Sequence, residues 1–176
     1  GRATALGLAR LGATVLVVGN QEAEGAAVLA ELRAVCSDAR HQFHAADLAD
    51  MAQVRAVALA IAGTQARIDV LINNAGMMAS TRRCTDEGHE ATLAVNLLAP
   101  ALLSRCLLPE LSRSRPGRIV NVSSIAYLGG SFDLEDPHRE RGHRRPVRLS
   151  WDPGRDLRAP RRSRRAPHAR ASRPAG

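Results

Sequence analysis

A chain of 176 residues that is 45% apolar is long enough for one domain with a real core. It has no apolar run of about 18 residues and no basic-then-apolar leader, which disfavours membrane spanning and secretion and makes the cytoplasm the expected location. The net charge of +8 divides by position: residues 1–138 carry 12 arginines against 14 acids, whereas residues 139–176 carry 13 against 3, so a near-neutral body precedes a basic tail.

In the body, apolar residues at Ala5, Leu6, Leu8, Ala9 and Leu11 predict a helix over about 2–11, which Gly12 would cap. "TVLVVG" is a short β-branched run, the pattern of a strand buried on both faces of a parallel sheet. A helix over about 22–35, a strand at "HQFHAADL", a helix over about 50–64 and a strand at "IDVLINNAG" follow. A long helical stretch, "DEGHEATLAVNLLAPALLSRCLLPELSR", then leads into the strand "GRIVNVSS". Alternation of this kind predicts an α/β fold, a doubly wound parallel sheet with right-handed crossovers. Ligands of such sheets bind beyond the carboxyl ends of the strands. Those ends are Gly19-Asn20, Asp47-Leu48, Asn73-Asn74-Ala75-Gly76 and Ser123-Ser124.

Cys36, Cys84 and Cys106 have neither disulfide nor zinc spacing, and His41 and His44 flank Phe43 within a strand, so no metal site is expected. Asn-Asn-Ala-Gly is either an ordinary turn or a place where a flat ring or ribose approaches the main chain. Asp47 could accept from an exocyclic amine or cap the next helix, where it competes with Asp50. Asn96, flanked by apolar residues in a helix, marks either a kink with a bound water or a solvent-facing amide. The Ser124 hydroxyl could donate to a carbonyl oxygen; no Gly-x-Ser-x-Gly elbow makes it a nucleophile.

In order and spacing, "GRATALGLARLGATVLVVG", "ADLAD", "INNAG", "DEGHEATLAVNLLAP" and "GRIVNVSS" resemble the short-chain dehydrogenase/reductase family, especially its retinol-dehydrogenase-like branch. The resemblance implies a Rossmann-like fold and reversible hydride transfer between a nicotinamide and a small alcohol or carbonyl compound. It assigns Ser124 to the carbonyl oxygen, Asn96 to a water of the proton relay, and Gly1, Gly19, Asn20, Asp47, Leu48, Asn74, Ala75 and Gly76 to the cofactor, with Asp47 on the adenine. The family distinguishes NAD from NADP at the end of its second strand, by an acid or a base. Gly19 and Asn20 stand there, which removes a repulsion against the extra phosphate without adding a cation, so NADP is favoured over NAD. The full-length family also implies a homo-oligomer.

The same resemblance brings three departures. The sequence starts at what resembles the last glycine of the family's phosphate-binding turn, so an N-terminally truncated and incomplete sheet is expected, without the first strand and the later ones. In the order 3-2-1-4-5-6 that strand lies between two pairs, which would either close up in a shifted arrangement or leave the chain unstable. Asp47 and the Asn-Asn-Ala-Gly turn should lie side by side on adjacent strands or on those flanking the gap. The Tyr-x-x-x-Lys pair should follow Ser124 by about a dozen residues, yet the only tyrosine is Tyr127 and there is no lysine, so the chain as written is expected to be inactive. Residues 1–138 thus form a partial dinucleotide-binding domain, and 139–176 an irregular Arg-rich tail too polar to fold alone. That tail is either out-of-frame translation of a GC-rich gene, the favoured reading, or a nucleic-acid-binding arm on a non-catalytic nucleotide-binding relative.

Overall fold

Helix α1 (Arg2–Arg10) ends because Gly12 takes a positive φ of 84°, which lets the amides of Gly12 and Ala13 turn back to the carbonyls of Ala9 and Leu8. This double closure leaves the last helical carbonyls satisfied and reverses the chain into the next strand. The computed structural model describes residues 1–125 and 133–141; the expected tail from about 142, and Tyr127, lie outside the described residues.

Strands β1 (Leu16–Gly19), β2 (Gln42–Ala45), β3 (Val70–Asn73) and β4 (Arg118–Asn121) alternate with helices α2 (Glu22–Val35) and α3 (Met51–Thr64) and a helical run between β3 and β4. The four strands pair in parallel, as the alternation of helices and strands predicts, but the sheet is split. β1 pairs with β2 and β3 with β4, and among the described residues no ladder joins the two pairs. They have not closed up. A cleft of about 1040 Å³ separates the inner strands β1 and β3, and for that reason β1, expected to be buried on both faces, is half-buried along its whole length.

The halves are held together by helices. Val54, Val57, Ala58 and Ile61 of α3 pack with Ala99, Leu103, Leu107 and Leu111 over one face, touching Leu16 and Val18 of β1 and Leu71 of β3. On the opposite face a smaller cluster of Ala5, Ala9 and Leu32 packs against Val15 and Val17. Alternate residues of β1 thus serve alternate cores, as the period of a strand requires.

The stretch expected to be one helix over 86–113 is divided. Residues 84–90 form a turn closed by a Cys84–Glu90 bridge, and helix starts only at Ala91, where the buried Glu90 accepts from the Leu93 amide at 2.8 Å. α4 (Ala91–Leu93) runs through a π-helical turn (Ala94–Leu98) into α5 (Ala99–Cys106), then α6 (Leu108–Ser112). Pro100 has no amide to give to the preceding turn, and just before it the Ala99 amide reaches back five residues to Ala94. A one-residue bulge absorbs the misfit, and Asn96 lies at its centre.

Candidate cofactor and substrate site

The first half of the site is main chain. α1 begins at Gly1 with no side-chain cap, so the amides of its first turn have no partners within the helix and carry the positive end of its dipole. A methyl group at Gly1 would stand 3.2 Å from the Asn74 amide nitrogen, which places the start of α1 tightly against the carboxyl end of β3. An anion can approach amides directly there. The nearest guanidinium, Arg2, is committed elsewhere: its Nε and Nη2 donate to Glu31 of α2 at 3.1 and 2.5 Å.

Six of the eight residues expected to contact a cofactor, Gly1, Gly19, Asn20, Leu48, Asn74 and Ala75, line the one cleft. Asp47 and Gly76 do not line it. Asp47 follows β2, the outer strand of its pair, so it stands one strand further out than the expected position beside the Asn-Asn-Ala-Gly turn. The strands that flank the gap are β1 and β3.

The helix-cap reading of Asp47 is excluded by its neighbour. Asp50 caps α3, its Oδ1 accepting from the amides of Ala52 and Gln53 at 2.8 and 3.1 Å, while Asp47 is exposed and accepts only locally from the Ala49 amide at 2.8 Å. The Gln53 backbone and side-chain bonds hold the Asp50 carboxyl below its ordinary value of 3.8. A carboxyl lowered in the folded state contributes stability that is complete above its unfolded pKa and lost as pH falls through the folded value. Thermal melts of Asp50→Ala should therefore lie below wild type at pH 7, with the gap shrinking towards pH 3, and Asp50→Asn, which keeps an acceptor, should lose less. A gap that is constant with pH would show that the charge has no part in the cap.

Beyond β3, Asn96 clamps the loop. Its Oδ1 accepts from the Met77 amide and its Nδ2 donates to the Met77 carbonyl, both at 2.8 Å. The side chain is exposed, as the solvent-facing reading has it, and it also lies in the kink that the other reading requires. Ser124 is exposed and stands three residues past the end of β4, in the loop at the same end of the β3·β4 pair as Asn74 to Met77. Sequence reasoning left Asn73 out of the cofactor set and did not single out Asn121. They face each other in register, and the buried Asn73 donates to Asn121 Oδ1 at 2.8 Å and to Ser104 Oγ at 3.4 Å, tying the two carboxyl ends together beneath the loops. An Asn at the last position of each of two β-branched strands is the signal that could have found them.

His41 has a structural role. Buried His41 accepts from the Val15 amide through Nδ1 at 3.1 Å, leaving Nε2 to donate to the Cys36 carbonyl at 3.2 Å. Among the described residues no group of three His, Cys, Asp or Glu could hold a metal ion, and no helix is long and apolar enough to cross a membrane.

Residues 1–133 match the family model described as short chain dehydrogenase. Polyprenol dehydrogenase of Mus musculus is 40% identical over 142 residues, 78% of this chain and 42% of that protein. Retinol dehydrogenase 13 of Homo sapiens is 35% identical over 136 residues, 77% of this chain and 41% of its own length. The chain thus spans less than half of these relatives. A short-chain dehydrogenase from Sphingobium yanoikuyae solved with NADPH superposes with a TM-score of 0.60 at 33% identity, over 70% of this chain and 48% of that one. An NADH-dependent reductase solved with NAD gives 0.63 at 28% identity, over 74% and 57%.

Proposed function

Because the chain belongs to the short-chain dehydrogenase family, in its retinol-dehydrogenase-like branch, we propose that its carboxyl-end crevice takes a nicotinamide dinucleotide, NADP in preference to NAD, and faces a small alcohol or carbonyl compound. The observation that carries this reading is the uncapped start of α1 packed on Asn74 in a cleft shared with Gly19, Asn20, Leu48 and Ala75. The donor set fits the group: amides for a pyrophosphate, small residues for a ribose, and an exposed carboxylate, Asp47, able to accept from an adenine amine. Relatives of known structure hold NADPH or NAD, which supports a nicotinamide cofactor. The lean to NADP rests on Gly19-Asn20, where no carboxylate repels a ribose phosphate.

Bound there, the dinucleotide would supply or accept the hydride. The chain's own residues orient the reactants. Ser124 Oγ would donate to a substrate carbonyl oxygen, and the Asn74-Ala75-Gly76 backbone would hold the nicotinamide ring. Asn96 is a positioning residue through Met77, and Oδ1 has a second lone pair for the water that the resemblance assigns to it. None of these groups is a proton donor near neutrality. With no lysine in the 176 residues, a polypeptide of this sequence binds dinucleotide without turning substrate over.

Ligand binding raises stability in proportion to the logarithm of ligand concentration over Kd, so thermal shift at millimolar dinucleotide tests the proposal. NADP should raise the melting temperature more than NAD does, Asn20→Asp should reverse that order, and Asp47→Ala should reduce both shifts. Absence of any shift, or shifts indifferent to both substitutions, would remove the crevice from consideration.

A further inference from the structure

The loop that carries Asp47 and Leu48 is stiffened from within. The Asp47 amide donates to Gln53 Oε1 at 2.9 Å, its Oδ1 accepts from the Ala49 amide at 2.8 Å, and its carbonyl accepts from the Asp50 amide at 3.1 Å. Gln53 Nε2 in turn donates to Asp50 Oδ2 at 2.9 Å. The loop and the first turn of α3 are thereby one unit. All four bonds lie within residues 47–53, so they set the shape of that unit and not its place relative to the loops beyond it.

A side chain from far along the sequence reaches it. The Met51 amide donates to Glu87 Oε2 at 3.1 Å, across 36 residues. Glu87 belongs to the turn at 84–90, whose own shape is fixed: Gly88 takes a positive φ of 82°, its amide closes on the Thr85 carbonyl at 2.9 Å, and the His89 amide meets Thr85 Oγ1 at 3.2 Å. That turn lies in the same β3-to-α4 connection as Asn74, Ala75 and Gly76. Glu87 thus joins the loop after β2 to the connection after β3, although those strands belong to different pairs.

Capping alone does not account for this bond. Asp50 already takes the Ala52 and Gln53 amides, and Glu87 is exposed, so water can meet the Met51 amide in its place. What the carboxylate adds is position, because a loop held in its binding conformation before the ligand arrives has less ordering left to do.

We propose that Glu87 is a positioning residue for base recognition: by holding the Met51 amide it sets the loop 47–50 so that the Asp47 carboxylate meets the exocyclic amine of an adenine. The inference rests on the dinucleotide reading of the crevice and concerns its adenine end, where it adds a residue that itself touches no part of the ligand.

Titration calorimetry of the whole 176-residue chain with AMP and with purine riboside 5′-monophosphate, which lacks the amine, isolates the contact. Wild type should bind AMP about tenfold more tightly, the share of one hydrogen bond to a charged group. Glu87→Ala should bring AMP down to the level of the amine-free nucleotide and leave the latter's affinity where it was, while the melting temperature of the unliganded chain falls less than in Asp50→Ala. Glu87→Gln, which keeps an acceptor for the Met51 amide, should restore the preference. An equal loss for both nucleotides, a preference that survives Glu87→Ala, or a Glu87→Gln chain as indifferent as the alanine variant would overturn the proposal and leave the dinucleotide reading standing. Failure of wild type to bind AMP, or to prefer it, would remove the adenine from Asp47 and the proposal with it.

Discussion

A polypeptide of these 176 residues should leave nicotinamide absorbance at background with retinal, a prenal, a steroid ketone and simple aldehydes alike, with either cofactor. The Ser124 hydroxyl can orient a carbonyl and Asn96 can hold the Met77 loop, yet hydride delivery to carbonyl carbon also needs a proton on oxygen. A general acid typically contributes about 10² to 10⁴ in rate. The only tyrosine is Tyr127, and the chain has no lysine to pair with it. Grafting a Tyr-x-x-x-Lys helix about a dozen residues beyond Ser124, together with a preceding strand and glycine turn, should raise turnover by at least the acid's share. The comparison separates two failures: dinucleotide shifts without turnover in the ungrafted chain point to the missing acid, whereas absence of both points to the crevice. Robust turnover by the ungrafted chain, abolished by Ser124→Ala, would place the acid elsewhere.

Signals that a residue's own backbone decides were legible in the sequence. Gly12 could be read as a helix stop because only its own backbone decides the matter, and it does adopt the positive φ. All four expected strands formed and pair in parallel, since helices connect them and a helical crossover returns the chain in the same direction. Burial was not legible in the same way. The half-buried state of β1 depends on what stands across from it rather than on "LVVG" itself. Nor was the division of the last helical stretch, where amphipathic spacing runs through residues 86–113 while the bulge before Pro100 and the turn at 84–90 are decided by single backbone bonds. The candidate site follows the same rule. Its members gather at strand ends as expected, but Asn73 and Asn121 act only as a pair 48 residues apart, and a single-sequence reading has no term for that pair.

Leu32→Ala should be the most damaging single core truncation on the α1–α2 face, and its damage should be local. That face has one large side chain shielded from solvent, Leu32 at 0% exposure; its buried companions are Ala5 and Ala9. Truncating such a leucine typically costs about 2 to 5 kcal/mol, the higher values where the cavity cannot collapse, and two alanines backed by the partly buried Val15, Val17 and Val28 have little with which to fill it. The Arg2–Glu31 pair cannot compensate, because its side chains are 63% and 37% exposed and solvent-accessible pairs are worth at most about 1 kcal/mol. The larger core is independent of Leu32: nine buried residues, from Ala46 to Leu111, bind α3 and α5 across both strand pairs. Opening should therefore begin with α1, α2 and the β1 residues that face them. In urea the variant should unfold at lower concentration than wild type, and hydrogen exchange should show protection lost in α1 and α2 while the β3·β4 ladder and α3 keep theirs. Val54→Ala, at the equally shielded position in the larger core, should instead weaken both halves together. If Leu32→Ala lowered protection evenly across all four strands, the two faces would be one cooperative unit and the division of the core proposed here would be wrong.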